Sequence, residues 1–439
     1  MVSIGERRML IMNRKAISGI IILTMLLTGV LTLAFNVQPV KAWTGTVYIR
    51  ADGSIDPPDA PIITHDNIAY TLTDNITSVG DGIVVERDNI IIDGNGYMLQ
   101  GAGDYESKGI VLSGRTNVTV RNAQIQNFGH GIWLNYSNSN SISDNNITNT
   151  WIGVWFYNSS NHNSINGNNI TANKGSGIWL DGSSDNSISG NTVTANGMRF
   201  TSYGIGLSKS SNNSISGNTV TANTGGGILL QHSSYNSISG NNITANNKYG
   251  IYLSVSSNNN VSRNTFISDG LLAVAHSYQN VVEDNTINGK PLVYLEGVAD
   301  YRVENAGQVI LVNCTGIRVE NLNLSRTDVG VELWKTDNSI ISGNNITNNF
   351  GGIRLDESSN HNGIWGNNIT TNYVGIELYD YSNNNIISGN NITNNEYGIW
   401  LTDSSNNIIY HNNFINNGQQ VFFGSSRYAN VWDNGYPSG

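Results

Sequence analysis

Asn186-Ser-Ile-Ser-Gly-Asn-Thr-Val-Thr-Ala-Asn196, followed by Gly204-Ile-Gly-Leu207, recurs with small changes from about residue 80 to the C-terminus of this 439-residue chain. Aligned on its first apolar residue, the phrase returns at Ile142, Ile165, Ile188, Ile215, Ile238 and Val261, in steps of 23, 23, 27, 23 and 23. A second series runs Val319, Ile341, Ile364, Ile387 and Ile409, in steps of 22, 23, 23 and 22. Ile92 and Val120 are weaker, earlier members. A fixed period of this length is the signature of a stacked repeat architecture.

Each unit holds short alternating segments, too short for helices. In Gly131-Ile-Trp-Leu134 the Ile and Leu share one face and the Trp takes the other. In Ile165-Asn-Gly-Asn-Asn-Ile170 two apolar residues bracket a Gly-Asn corner, and both corner residues tolerate left-handed backbone. One such unit cannot bury its own apolar face, whereas units stacked in register can. The most regular position is the Asn after the corner: Asn145, Asn168, Asn191, Asn218, Asn241, Asn264 and Asn285, then Asn344, Asn367, Asn390 and Asn412. Stacked amides chain hydrogen bonds along an axis, so these residues read as a structural ladder, not as ligands.

The pattern predicts an all-β chain, a right-handed single-stranded parallel β-helix of about fourteen coils with 22–23 residues each. At one strand spacing per coil this makes a rod about 65–70 Å long. A leucine-rich repeat would need an L-x-x-L-x-L signature, and a β-propeller a period of about 40 residues. Neither is present.

Residues 1–42 read as a signal peptide. Arg7, Arg8, Arg14 and Lys15 precede an apolar run from Ala16 to Phe35, and Val40-Lys41-Ala42 offers a cleavage site. Left uncleaved, the run is long enough to anchor in a bilayer, and it is the only route to a membrane in this sequence. The expected location is secreted, cell-surface or periplasmic. The whole chain carries a formal charge of −10, and removing residues 1–42 takes away five basic residues and one acid, leaving −14. That balance argues against nucleic acid as a partner. Cys314 is the one cysteine, so no intrachain disulfide forms; its apolar context, Val312-Asn-Cys-Thr315, reads as a buried thiol.

Residues 43–82 read as an N-terminal segment that covers the open end of the solenoid, since terminal strand edges need hiding. The β-helix is expected over 83–288, an irregular coil or insertion over 289–312, and a second β-helical half over 313–439 that ends without an obvious cap, as in a truncated chain. Asn-x-Ser/Thr sequons recur because the repeat itself uses those residues, and most are therefore coincidental.

The phrase Asn-Ser-Ile-Ser-Gly-Asn-Asn-Ile-Thr with Gly-Ile-x-Leu resembles the NosD-like, or carbohydrate-binding and sugar-hydrolysis, β-helix superfamily. Asn285-Thr-Ile-Asn-Gly-Lys-Pro-Leu-Val-Tyr-Leu295 and Trp432-Asp-Asn-Gly-Tyr-Pro437 are similar to secreted members of that group. The resemblance spans about residues 82–437. It implies the fold, and a range of activities: polysaccharide lyases, hydrolases and epimerases, surface proteins without known chemistry, and a periplasmic factor linked to copper delivery. Copper does not carry over onto residues here, because no His-x-His, Met-rich or Cys-His cluster supplies soft ligands. His162 and His361 match in position but lie some 40 Å apart at the expected coil spacing. No cofactor or metal is expected. Gly129-His130-Gly131 matches a short motif of polygalacturonase-type hydrolases, yet the companion acidic motifs are absent, so His130 reads as a solvated turn residue.

The outward position of Gly-Ile-x-Leu is more informative. Trp133, Trp155 and Trp179 fall on successive coils, with Tyr252 further along the same file. An exposed aromatic strip is a binding platform for a glycan or an envelope protein; its structural alternative is cross-strand packing. In the second series the same position reads Glu332, Arg354 and Glu377. Two carboxylates around an Arg suit acid–base chemistry on a polysaccharide, while opposite charges on neighbouring strands also stabilise a sheet face. The leading expectation is glycan or envelope binding through the strip. A polysaccharide-modifying enzyme and a passive structural rod are the rivals.

Overall fold

Alternation decides the core. In a computed structural model that describes residues 43–199, 201–274, 276–425 and 429–433, every turn of the chain lays down short parallel strands whose Ile, Val and Leu point inward. The coils number about 15, all-β throughout the described residues. The expected signal segment, residues 1–42, lies outside them.

Three strands make one coil of the first series. His130–Asn135 is followed by Ser141–Ser143 and Asn146–Thr148, and each pairs in parallel with its counterpart a coil later: Ile132 with Val154, Ile142 with Ile165, Ile147 with Ile170. The inward files Ile132–Val154–Ile178–Ile205–Ile228 and Ile142–Ile165–Ile188–Ile215–Ile238 are fully buried. Each such side chain contributes about 1.5–3 kcal/mol relative to exposure.

The expected Asn ladder is present. Asn145 Nδ2 donates to Asn168 Oδ1 at 3.0 Å and to the Val120 carbonyl at 3.0 Å, while Asn145 N–H also reaches Asn168 Oδ1. The same links continue through Asn191, Asn218, Asn241 and Asn264 to Asn285, and through Asn344, Asn367 and Asn390 to Asn412. The corner before each rung is left-handed, as at Gly190 with φ 63°. Two more amide ladders sit at the other corners, through Asn140–Asn163–Asn186–Asn213 and Asn173–Asn196–Asn223–Asn246.

Residues 43–82 add strands to the same sheets, Val47–Ile49 beside Ile83–Val85 and Ala69–Leu72 beside Ile91–Asp93. Antiparallel strands Ile55–Asp56 and Ile62–Ile63 then close two of the sheet edges. The break in the period after residue 288 is a reversal of direction. Thr286–Ile287 pairs antiparallel with Lys290–Glu296 across Asn288-Gly289, both left-handed, and Lys290–Glu296 opens the leading sheet of a second series. With the strand direction reversed at the joint, the second series runs back beside the first: Gln308 lies against Leu271, the later Asp328 against the earlier Gly250, and Phe350 against Tyr249. The outer faces of the two series therefore meet: the Gln308 amide brackets Leu271, accepting from its N–H at 3.0 Å and donating to its carbonyl at 2.6 Å, and Gly250 N–H donates to Asp328 at 3.1 Å. Leu272 and Ile310 point outward from their own coils and are buried in one apolar cluster shared by the two series.

Candidate functional site

Parallel register brings the predicted aromatic residues together. Trp133 lies beside Trp155 and Trp155 beside Trp179 on adjacent strands, all three half-buried. The next position is Gly206, where a side chain would collide with the Trp179 indole. That indole therefore lies flat over the neighbouring strand, one face down and one face out. Lys108 Nζ stands 5.2 Å from the Trp133 ring centre. Trp155 meets the His130 ring edge-on at 4.6 Å and Tyr157 at 5.2 Å.

Tyr252 belongs elsewhere. Gly206 and the buried Leu229 separate it from Trp179 in the file. Its ring contacts Tyr249 at 4.9 Å, and Tyr249 meets Phe350 of the second series at 5.8 Å. From there an aromatic row continues through Tyr373, Tyr397, Trp400 and Phe422. Sequence reasoning missed Phe350 and Tyr373, whose signal is an aromatic residue directly after a corner Asn.

Glu332, Arg354 and Glu377 do occupy adjacent rungs, followed by Trp400. They do not form an open face. Glu332 is 0% exposed beneath the joint, against the expectation that the outward file meets solvent. Its Oε1 accepts from Trp334 Nε1 at 2.6 Å, its Oε2 has no partner, and burial pushes the carboxyl up to about 8 despite the nearby Arg354. Arg354 is engaged by Asp356 at 2.7 Å and by Glu377 at 3.6 Å, and burial raises both of those carboxyls. A sealed acid and a guanidinium already ion-paired with two carboxylates are poorly placed to touch a substrate.

His130 departs from expectation as well. It is 4% exposed, not solvated, and burial with Lys108 nearby lowers its pKa to about 4, so the ring is neutral near pH 7. Cys314 is buried as expected, its Sγ donating to the carbonyls of Leu295 and Val312.

A family model described as periplasmic copper-binding protein (NosD) matches residues 197–273 and 267–439, and one described as right handed beta helix region matches 81–228. Among curated proteins, no sequence matches. Similar solved structures include DFA-IIIase from Arthrobacter chlorophenolicus A6 in complex with DFA-III, with 14% identity, TM-score 0.35, and 55% of this chain covered against 57% of that one. The same enzyme in another crystal gives 13% identity, TM-score 0.37, and coverage of 62% and 69%. The Dettilon tailspike protein gives 13% identity, TM-score 0.33, and coverage of 67% and 60%. The chain thus spans less than two-thirds of the first and last of these. Copper, named in the family description, does not fit the described residues. Among them no three His, Cys, Asp or Glu side chains converge as ligands, and the one thiol is spent on backbone carbonyls.

Proposed function

The chain belongs to the NosD family, and from that premise we propose that it is an exported surface protein that holds a glycan against the indole file of Trp133, Trp155 and Trp179. The observation that carries this reading is the register: three indoles on three neighbouring strands, half-buried, with Gly206 letting the last lie flat. Indoles offer apolar platforms for the C–H faces of sugar rings, here on strands spaced about 4.8 Å apart. The acidic chain, formally −10, disfavours polyanionic glycans and favours neutral ones. An envelope protein is the other occupant such a strip would suit.

Burial of Glu332 and the engagement of Arg354 weigh against the rival, a polysaccharide-modifying enzyme. Affinity electrophoresis through gels containing neutral polysaccharides tests the proposal. Retardation of the protein that is lost in Trp133→Ala and Trp179→Ala is the expected result; equal retardation of both variants overturns it.

A further inference from the structure

Two buried polar atoms on the strip have no partner: His130 Nδ1 and Trp155 Nε1. Their rings touch edge-on at 4.6 Å, so both atoms belong to one small region. An indole N–H can only donate, and a neutral imidazole nitrogen donates or accepts according to tautomer. Leaving such groups unpaired costs about 1–3 kcal/mol each, an unusual expense in a chain that satisfies its amide ladders so thoroughly.

What covers His130 is a short loop. Tyr105 contacts the His130 ring at 5.9 Å and the Trp151 ring at 5.3 Å, both edge-on. The loop is tied at its two ends, by Gly103 N–H to the Asn127 carbonyl at 2.7 Å and by His130 N–H to the Ser107 carbonyl at 2.9 Å. Between these ties Glu106 N–H donates within the loop to Asp104 at 2.8 Å and the Glu106 carbonyl accepts from Lys108 Nζ at 2.7 Å, while Ser107 Oγ accepts from Gly129 N–H at 3.2 Å; Asp104, Tyr105 and Glu106 are exposed. Gly103 has φ 90°, a conformation suited to a pivot. Gly129 lets the Tyr105 carbonyl come close, since a Cβ there would collide with it.

We propose that His130 Nδ1 and Trp155 Nε1 read a hydroxyl of the bound sugar, and that the Asp104–Ser107 loop is a cover that lifts to admit it. This rests on the glycan reading of the strip. A sugar hydroxyl both donates and accepts, so one such group satisfies the indole and the imidazole together. Trp133 and Trp179 then supply stacking, while the His130–Trp155 pair supplies orientation.

The test compares neutral-glycan affinity and thermal stability for four proteins: unmodified, His130→Phe, Tyr105→Ala and Gly129→Ala. His130→Phe keeps a ring in place but removes the hydrogen-bonding atoms. It is expected to weaken binding about threefold to tenfold, the worth of one hydrogen bond, while thermal stability holds or rises. Tyr105→Ala and Gly129→Ala, which loosen or wedge the cover, are expected to tighten binding. Unchanged affinity in His130→Phe together with no gain in Tyr105→Ala overturns the inference even if the strip binds. Failure of the unmodified protein to bind any neutral glycan removes the strip reading, and this inference with it.

Discussion

Replacing Glu332 with Gln should stabilise the protein, and should do so only above acidic pH. Glu332 is completely buried at the joint between the two series of coils, with Trp334 bonded to one oxygen and nothing bonded to the other. Burial outweighs the attraction of Arg354, is reinforced by Asp356, and lifts the pKa from 4.5 to about 8. A carboxyl raised in this way contributes its full stability below pH 4.5 and loses it as pH rises through 8, because the unfolded chain ionises first. At 1.36 kcal/mol per unit, the penalty is about 3 kcal/mol at pH 7 and about 5 kcal/mol at pH 9. Gln keeps the acceptor for Trp334 and carries no charge. Denaturant unfolding of both proteins from pH 4 to 9 should therefore show no gap at pH 4, a gap of about 3 kcal/mol at pH 7, and a plateau above pH 8. A Glu332→Gln variant less stable at every pH, or a gap independent of pH, would refute the burial argument.

Other outcomes follow from single residues. Asn218→Ala removes a rung that accepts from Asn191 and donates to Asn241 and the Ile188 carbonyl; the stranded groups should cost about 3–5 kcal/mol in urea unfolding. Gly206→Val should push the Trp179 indole off the sheet, shifting its fluorescence to the red and weakening glycan retention without unfolding the chain. His130, lowered to about 4 in the folded protein, confers stability that is present above pH 6.5 and is lost as pH falls toward 4. The loss should be about 3 kcal/mol, and the His130→Phe variant should lack that acid limb.

Period and alternation made the coils legible, and the ladder with them, since Asn168 or Asn191 stands at a corner that every unit repeats. The Trp file was legible for the same reason. Alternation tells which face of a strand a side chain takes, however, and not what comes to lie on that face. Glu332 therefore read as solvent-facing, although the reversal at Asn288-Gly289 brings Leu271 and Gln308 together at the joint that buries it. Asn288-Gly289 itself looks like any other corner of the repeat. Tyr252 shares a file with Trp179, yet one small and one buried residue between them part it from the strip. His130 sits at a turn by sequence, but the preceding loop carries Tyr105 back over it, a contact that no spacing rule encodes.

The most direct measurement is a neutral-glycan array probed with the protein and with Trp133→Ala/Trp179→Ala, with product analysis of every glycan retained. Retention by the protein, loss in the double variant, and no new reducing ends or unsaturated products is the predicted result. Equal retention by the double variant, cleavage of the bound glycan, or no retention at all would contradict a glycan-holding strip.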